Sequence, residues 1–516
     1  MRDVSSPSSV FRLPSFYNPP SYESKTRLAR TCPGRRVVPH SDRAGDLHLS
    51  QRAAMDLSGV LMRLQKLRDW LAFALSVLAV FVLQPASPVR YLDFWLPFAT
   101  FALIVGVWFV LAPGALRALK GENLITLVGL AIFVAALSAL RYTPACCLTA
   151  TRPPETAFVL LALGLVGLMA FGLAKLAAQG RYAVIGWGFI TLLVALLVIL
   201  KTDALATAAS AFLRGLNAQN PAQAAPTDLS WLGFSYIAFR LMHVLRDLHN
   251  GKRANMNLRE FVTYVVFAPS LLAGPIDRAE RFAKDLRAPY ALNISVLGEA
   301  GTRLVIGAFK KFVLADALSL MALNAFNAAQ TQSPLWMWLL VYAYAFRIFF
   351  DFAGYTDMAI GAGRLLGIKL PENFNNPYLK PNLTQFWNSW HITLAQWFRA
   401  YWFNPLTRWL RGTRANSVPL MVFIGQISTM LLIGLWHGVT LNFVAWGAWH
   451  GVGLFIHNRW ADFARGRESL AKYERAFRIG GVILTFHFVA LGWVFFALPE
   501  FNLSLRVLAR LFGVNV

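Results

Sequence analysis

Met421-Val422-Phe423-Ile424-Gly425-Gln426-Ile427-Ser428-Thr429-Met430-Leu431-Leu432-Ile433-Gly434-Leu435-Trp436 runs directly into His437-Gly438. No charged residue occurs from Met421 to Trp436. A helix of ~20 such residues crosses a hydrocarbon core at ~1.5 Å per residue, so the run places His437 within or at the edge of a membrane. Neutral imidazole can take a proton from a hydroxyl, and an unperturbed pKa near ~6.5 suits that work at physiological pH. A satisfied core histidine is the plain alternative, and the run alone does not choose between them. Gly438 leaves room for a substrate, which leans towards function.

Outward from this run, the same character recurs. The chain of 516 residues is 57% apolar and 14% charged, with a mean hydropathy of +0.49, whereas soluble domains carry roughly a quarter charged residues. The expected fold class is all-α: a polytopic membrane protein. Apolar runs at about 69–85, 92–112, 122–140, 156–178 and 182–200 predict five membrane helices, ended by Pro85, Pro88, Pro113, Pro144 and Pro153-Pro154. Residues 201–228, rich in Ala, Asn, Gln and Pro, predict a loop with a short surface helix. From 228 the runs (229–246, 258–274, 299–327, 334–365, 384–406, 417–437, 439–458 and 479–497) are threaded with polar residues, which in a bilayer turn towards protein or water. The first part is expected to supply lipid-facing walls and the part from 228 to 512 the site, within one membrane domain over 61–516. No internal repeat is visible, which counts against a transporter built from repeats.

A net charge of +24 raises nucleic acid as a partner. The distribution argues against it. Lys and Arg gather at the ends of apolar runs, at Arg240 to Arg253, Arg278 to Arg287 and Arg408 to Arg414, as in cytoplasmic loops facing anionic lipid. The expected partner is the lipid bilayer. Residues 1–60, rich in Ser, Pro and Arg, read as a disordered basic tail; they share features with transit peptides, and a start at Met55 or Met62 is the alternative. Cys32, Cys146 and Cys147 have no metal-ligand spacing and receive no chemistry.

Candidate polar groups follow. His391 lies in Phe386-Trp387-Asn388-Ser389-Trp390-His391-Ile392-Thr393-Leu394, where an interfacial anchor and a site in a wet cavity fit equally. Asp351 and Tyr355 share a helix face with Arg347, a natural ion-pair partner for Asp351; a buried structural network is the leading reading there. Asp357 is expected to line an aqueous path, and Gly354, Gly361 and Gly363 to allow close helix approach. Arg240, His243 and Asp247 form one helical stripe, read as a basic helix end, with a donor-binding role for Arg240 as the alternative. Leu271-Leu272-Ala273-Gly274-Pro275-Ile276-Asp277-Arg278 reads as a re-entrant turn or an interfacial loop. His450 lies thirteen residues beyond His437, about 20 Å along one continuous helix and on another face, so either the chain turns near Gly438 or only one of the two is catalytic. A structural role is expected for His450. No GxSxG elbow, HExxH zinc motif or Walker loop occurs.

Taken in order, Leu272-Ala273-Gly274-Pro275-Ile276, Phe350-Asp351-Phe352-Ala353-Gly354-Tyr355-Thr356-Asp357-Met358-Ala359-Ile360-Gly361, Leu370-Pro371-Glu372-Asn373-Phe374-Asn375-Asn376-Pro377-Tyr378, Trp390-His391-Ile392-Thr393, Gly434-Leu435-Trp436-His437-Gly438 and Leu491-Gly492-Trp493-Val494-Phe495-Phe496 resemble the membrane-bound O-acyltransferase family. The similar branch is the bacterial one, with alginate O-acetyltransferase membrane subunits and teichoic-acid D-alanyl transfer proteins, over roughly 228–512. The resemblance implies a helical bundle with a tunnel or funnel in a bacterial inner membrane. It implies no bound cofactor, with acetyl-CoA or a carrier-protein thioester as the acyl donor. The expected acceptor is a hydroxyl of an exported polysaccharide, with a periplasmic acetyltransferase partner. His437 takes the place of the family's central histidine and His391 that of the second; Asp351, Tyr355, Asp357, Trp390, Trp436, Asn373 and Arg240 are the expected substrate and tunnel supports. Many relatives carry two Arg where this chain has Asn388-Ser389.

Overall fold

The computed structural model describes residues 43–514 except 113, 115–116, 118, 144–147, 254, 291, 413–416 and 468–471, with side chains from residue 62 onward. Cys32, Cys146 and Cys147 lie outside the described residues. So does most of the expected tail; its last part, from Arg43, begins the first helix.

Met62–Val516 form one compact unit; among the described residues its elements are all helices, joined by turns and loops, with an isolated antiparallel bridge between Phe374 and Trp390. The first helices are α1 (Arg43–Val82), α2 (Leu92–Leu111), α3 (Glu122–Ala139), α4 (Thr156–Leu176) and α5 (Tyr182–Lys201); α2 to α5 match four of the expected runs, whereas α1 begins well before residue 69 and is not among the stretches apolar enough to cross a membrane. The short helix expected after residue 201 is α6 (Asp203–Leu216). Then come α7 (Phe234–His249), α8 (Leu258–Val265), α9 (Ala279–Arg287), α10 (Ile294–Phe309), α11 (Asp316–Ser319), α12 (Ala325–Gln330) and the long α13 (Pro334–Leu365). The site-bearing part closes with α14 (Leu383–Trp387), α15 (Ile392–Phe398), α16 (Asn404–Gly412), α17 (Val418–His437), α18 (Leu441–Ala464), α19 (Glu474–Ala497) and α20 (Phe501–Leu511).

Among the described residues, six stretches are long and apolar enough to cross a membrane: Leu92–Leu111, Glu122–Tyr142, Thr156–Lys201, Pro334–Leu365, Val418–His437 and Glu474–Ala497. The 46-residue stretch breaks at Gly180, where φ is 82°, into α4 and α5. Leu161, Leu168 and Val184 point outward on these helices, as a lipid-solvated surface requires. This is a multi-pass membrane protein.

Three expected single segments are broken, one of them 299–327, which divides into α10, a π turn over Lys310–Ala315, α11 and α12. Residues 258–274 give only α8, because Asn257 caps it and Pro269 opens a 3₁₀ turn over Ala268–Ser270. Residues 384–406 divide into α14, α15 and a π turn over Arg399–Phe403. Irregular backbone is tolerated at such depth when protein covers it, and here Leu271, Ile276, Trp390 and His391 are all buried.

Close packing rests on small residues. A Cβ on Gly447 of α18 would lie 2.6 Å from the Met430 carbonyl of α17, so these antiparallel helices touch backbone to backbone. On α13, the Gly354 carbonyl would lie 2.7 Å from a Cβ on Gly307 of α10. That is the role expected of the α13 glycines.

Side-chain and loop contacts mark the two ends of the bundle. At one end, Arg246 lies over the Trp187 ring and Arg253 over the Tyr182 ring. At the other, Ser87 donates to the Asp228 carbonyl and the Val439 amide donates to the Lys201 carbonyl at 3.1 Å. The end of α17, with His437, belongs to this second end.

Candidate active site

The site begins with one tight turn. α17 stops at His437, Gly438 is extended, and the Thr440 hydroxyl accepts from the Phe443 amide to start α18. A Cβ on Gly438 would lie 2.8 Å from the Phe443 ring. The glycine therefore makes room for Phe443, a correction to the expectation that it opens space for substrate.

His437 is half-buried. Its ring centroid lies 4.5 Å from that of Trp436, 4.7 Å from Phe496 and 5.7 Å from Trp446. Among the described residues its nitrogens hold no hydrogen bond, so the ring is placed by aromatic packing.

His391 arrives from a different direction. It caps α15 in the left-handed conformation, φ 42° and ψ 54°, a region His visits more readily than most residues. A strap holds it there. The Ile392 amide donates to the Asn373 carbonyl at 3.0 Å, the Asn375 amide to the Ser389 carbonyl at 3.0 Å, and the Thr393 hydroxyl to Asn373 Oδ1 at 2.7 Å. Thr393 Oγ1 in turn accepts from the Ile276 amide, tying the strap to the Gly274-Pro275 break. The imidazole is buried, edge-on to Phe352 at 4.7 Å and 6.2 Å from Trp436. Trp436 thus touches both histidines.

Buried polar atoms without a protein partner gather on these elements: His391 Nε2, Asn373 Nδ2, Thr356 Oγ1, Trp436 Nε1 and Trp446 Nε1. Each such atom costs ~1–3 kcal/mol when left unsatisfied. A polar reactant is one way to satisfy them. A cavity of about 150 Å³ lined by Trp387, Arg399, Gln426 and Asn458 adds two more, Trp387 Nε1 and Gln426 Oε1. Asn388 accepts from Arg399 at 2.6 Å.

Other expected site residues sit elsewhere. Asp351 pairs with Lys311 at 2.5 Å, from the π turn after α10, and not with Arg347, which is exposed. The correction has a simple cause: α10 packs across that face of α13 and brings a lysine closer than the same-helix arginine. Asp357 is buried between Arg303 and Lys310 and lines a charged cavity of about 530 Å³. The Tyr355 hydroxyl donates to the Pro269 carbonyl at 3.3 Å. Arg240 is buried and donates to the Val265 and Ser270 carbonyls at 2.8 Å. It clamps the 265–270 turn inside the protein, which corrects its reading as an interfacial helix end. His243 pairs with Asp247 at 3.2 Å. Trp390 packs on Phe374, Tyr378 and Trp493. His450 is fully buried beside Trp446 and Trp387, at 5.0 and 5.3 Å. The turn after α17 is what brings it near His437, through Trp446. Trp446 was not singled out from sequence, although its i, i+4 relation to His450 was there to find.

The profile of the membrane-bound O-acyltransferase family matches residues 158–498, a stretch that contains His391, His437 and His450. The chain belongs to this family. Among curated O-acyltransferase relatives, "Probable alginate O-acetylase AlgI" of Pseudomonas fluorescens is 34% identical over 287 residues, 55% of this chain and 54% of that protein. The teichoic acid D-alanyltransferase of Bacillus subtilis (strain 168) is 31% identical over 278 residues, 53% of this chain and 70% of that protein. The peptidoglycan O-acetyltransferase of Helicobacter pylori is 35% identical over 260 residues, 50% of this chain and 47% of that protein. The chain spans about half the length of most of the curated family members it matches.

Proposed function

We propose that the protein is an O-acyltransferase of the bacterial inner membrane. It moves an acyl group, acetyl in the first instance, from a cytoplasmic thioester to a hydroxyl of an exported polysaccharide or to a periplasmic partner protein. The observation that carries this reading is the placement of two neutral-capable imidazoles from separate elements against one indole, Trp436. His437 takes the proton of the acceptor hydroxyl as that oxygen attacks the thioester carbonyl carbon. The carbon–sulfur bond breaks, and the proton returns to the departing thiolate. His391, buried beside Trp436 with its Nε2 free of a protein partner among the described residues, positions or polarises one reactant. Asp351, Tyr355 and Asp357 support the surrounding helices, and the cavity beside Arg399 is suited to the amides of a pantetheine arm, whether of acetyl-CoA or a carrier protein.

The test is complementation of a deletion strain, with mass spectrometry of surface glycans. Wild type restores O-acetylation, and His437→Ala at normal abundance does not. Full acetylation by His437→Ala would end the base assignment. D-alanyl transfer is the second reading, favoured by the larger share of the D-alanyltransferase that the chain covers; the same spectra distinguish an alanyl from an acetyl mass increment.

A further inference from the structure

Helices α2, α3 and α4 enclose a slot of about 700 Å³ that the acyl-transfer chemistry does not use. Its volume lies within the ~300–1,000 Å³ of small-ligand pockets. Phe98, Phe101, Val105, Leu130 and Val134 line it, and Gly167 opens its α4 wall. Among the described residues, the one charged residue in the lining is Arg117, in the loop between α2 and α3 at the basic end of the bundle. Arg117 Nε donates to the Ala112 carbonyl at 2.6 Å, and among the described residues no carboxylate pairs with it. Its nearest charged influence is another cation: burial and then Arg253 hold its pKa below the ordinary value. Arg253, packed over Tyr182, lines a second, basic cavity with Lys284 and Arg287. Glu280 is the one acid in that lining, and Arg287 is already paired with Glu260. Lys175 sits over the Phe171 ring at 4.7 Å, and Phe171 too borders the slot.

An apolar slot ending on unneutralised guanidiniums has the chemistry of one lipid class. We propose that it is a specific site for an anionic phospholipid, with one acyl chain between α2, α3 and α4 and the phosphate on Arg117 and Arg253. Guanidinium forks suit phosphate oxygens, and basic pockets between membrane helices take anionic headgroups. The bound anion also removes the repulsion between the two arginines. This inference is independent of the acyl-transfer reading.

The test uses the full chain, delipidated in detergent and offered palmitoyl-oleoyl phosphatidylglycerol or the matching phosphatidylcholine, with retained lipid counted by native mass spectrometry. Wild type is expected to hold one phosphatidylglycerol per chain, roughly tenfold better than phosphatidylcholine, the scale of a charge-assisted contact. Arg117→Gln with Arg253→Gln keeps chain binding and loses the preference. Gly167→Phe, at a position where an added Cβ meets no atom within 4 Å, fills the slot and loses both lipids, while Gly167→Ala retains them. Should Gly167→Phe fail to fold, the arginine pair still decides. Equal retention of the two lipids by wild type, or unchanged preference in the arginine variant, overturns the proposal.

Discussion

At the residue scale the site is a set of side chains held by packing and one polar clamp. Trp436 is the common wall of His437 and His391, so Trp436→Ala should leave both rings free to turn. Misplacement by ~1 Å can lower a rate about 100-fold. We expect a loss of that order in acyl transfer by Trp436→Ala membranes at normal protein abundance, and near-normal turnover by Trp436→Phe. Thr393→Val removes the hydroxyl that joins Asn373 Oδ1 to the Ile276 amide and leaves both without that partner. Its expected signature is a roughly 10-fold fall in turnover, the scale of one net hydrogen bond at ~1.4 kcal/mol. His391→Ala should lose activity without loosening the strap, because the imidazole makes no bond to it; comparing the thermal stabilities of the two variants separates the cases. His437 was legible in the sequence because a charge-free run ends on it. The Asn373–Thr393 clamp was not, since twenty residues separate its members and only the fold closes the gap. Lys311 as the partner of Asp351 was missed for the same reason, although two lysines inside an apolar run already called for acids nearby.

At the element scale, the α17–α18 hairpin sets the distance between His437 and the aromatic box around His450. Gly447 permits that contact. Gly447→Leu should force the helices apart and lower the amount of folded protein recovered in detergent, whereas a substitution at Gly129, with no atom within 4 Å of its Cβ position, should not. Asp228 anchors the loop after α6. Burial raises its carboxyl, yet hydrogen bonds from Ser210, Arg214 and the Ala225 amide outweigh this and bring it net below the ordinary value. A depressed folded pKa means stability that is present above the unfolded value near ~3.9 and is lost as pH falls through the folded one. Melting temperature should therefore fall on acidification below about pH 4 by a smaller amount in Asp228→Asn than in wild type, and Asp228→Asn should already be less stable at pH 7. Breaking a buried pair costs about 3–5 kcal/mol. Helices α2 to α5 were readable from composition because lipid demands unbroken apolar runs. The breaks within 258–274 and 384–406 were not, because the Asn257 cap, the strap on His391 and the Arg240 clamp on residues 265–270 are tertiary.

For the whole molecule, charge and chemistry point along the same axis. Arg117, Lys252, Arg253, Lys284 and Arg287 gather around the loops that end α2 and α7, and His437 lies by the opposite loops, where the Val439 amide meets Lys201. Lys and Arg are retained on the cytoplasmic side during insertion, so the basic end is expected on the cytoplasmic side and the turn at Gly438–Thr440 on the outer side. That arrangement suits a reaction in which the thioester is made inside and the hydroxyl is presented outside, with the two meeting across the Trp436 wall. It also makes a prediction independent of activity. In a background with Cys32, Cys146 and Cys147 replaced by Ser, Thr440→Cys and Lys252→Cys each place one thiol at an exposed position. A membrane-impermeant maleimide added to intact spheroplasts should label Thr440→Cys and spare Lys252→Cys, which becomes reactive only after lysis. The reverse pattern would put His437 on the donor's side of the membrane. The acceptor hydroxyl would then have to cross to reach its base, and the proposed division of donor and acceptor between the two sides would fail while the family membership stood.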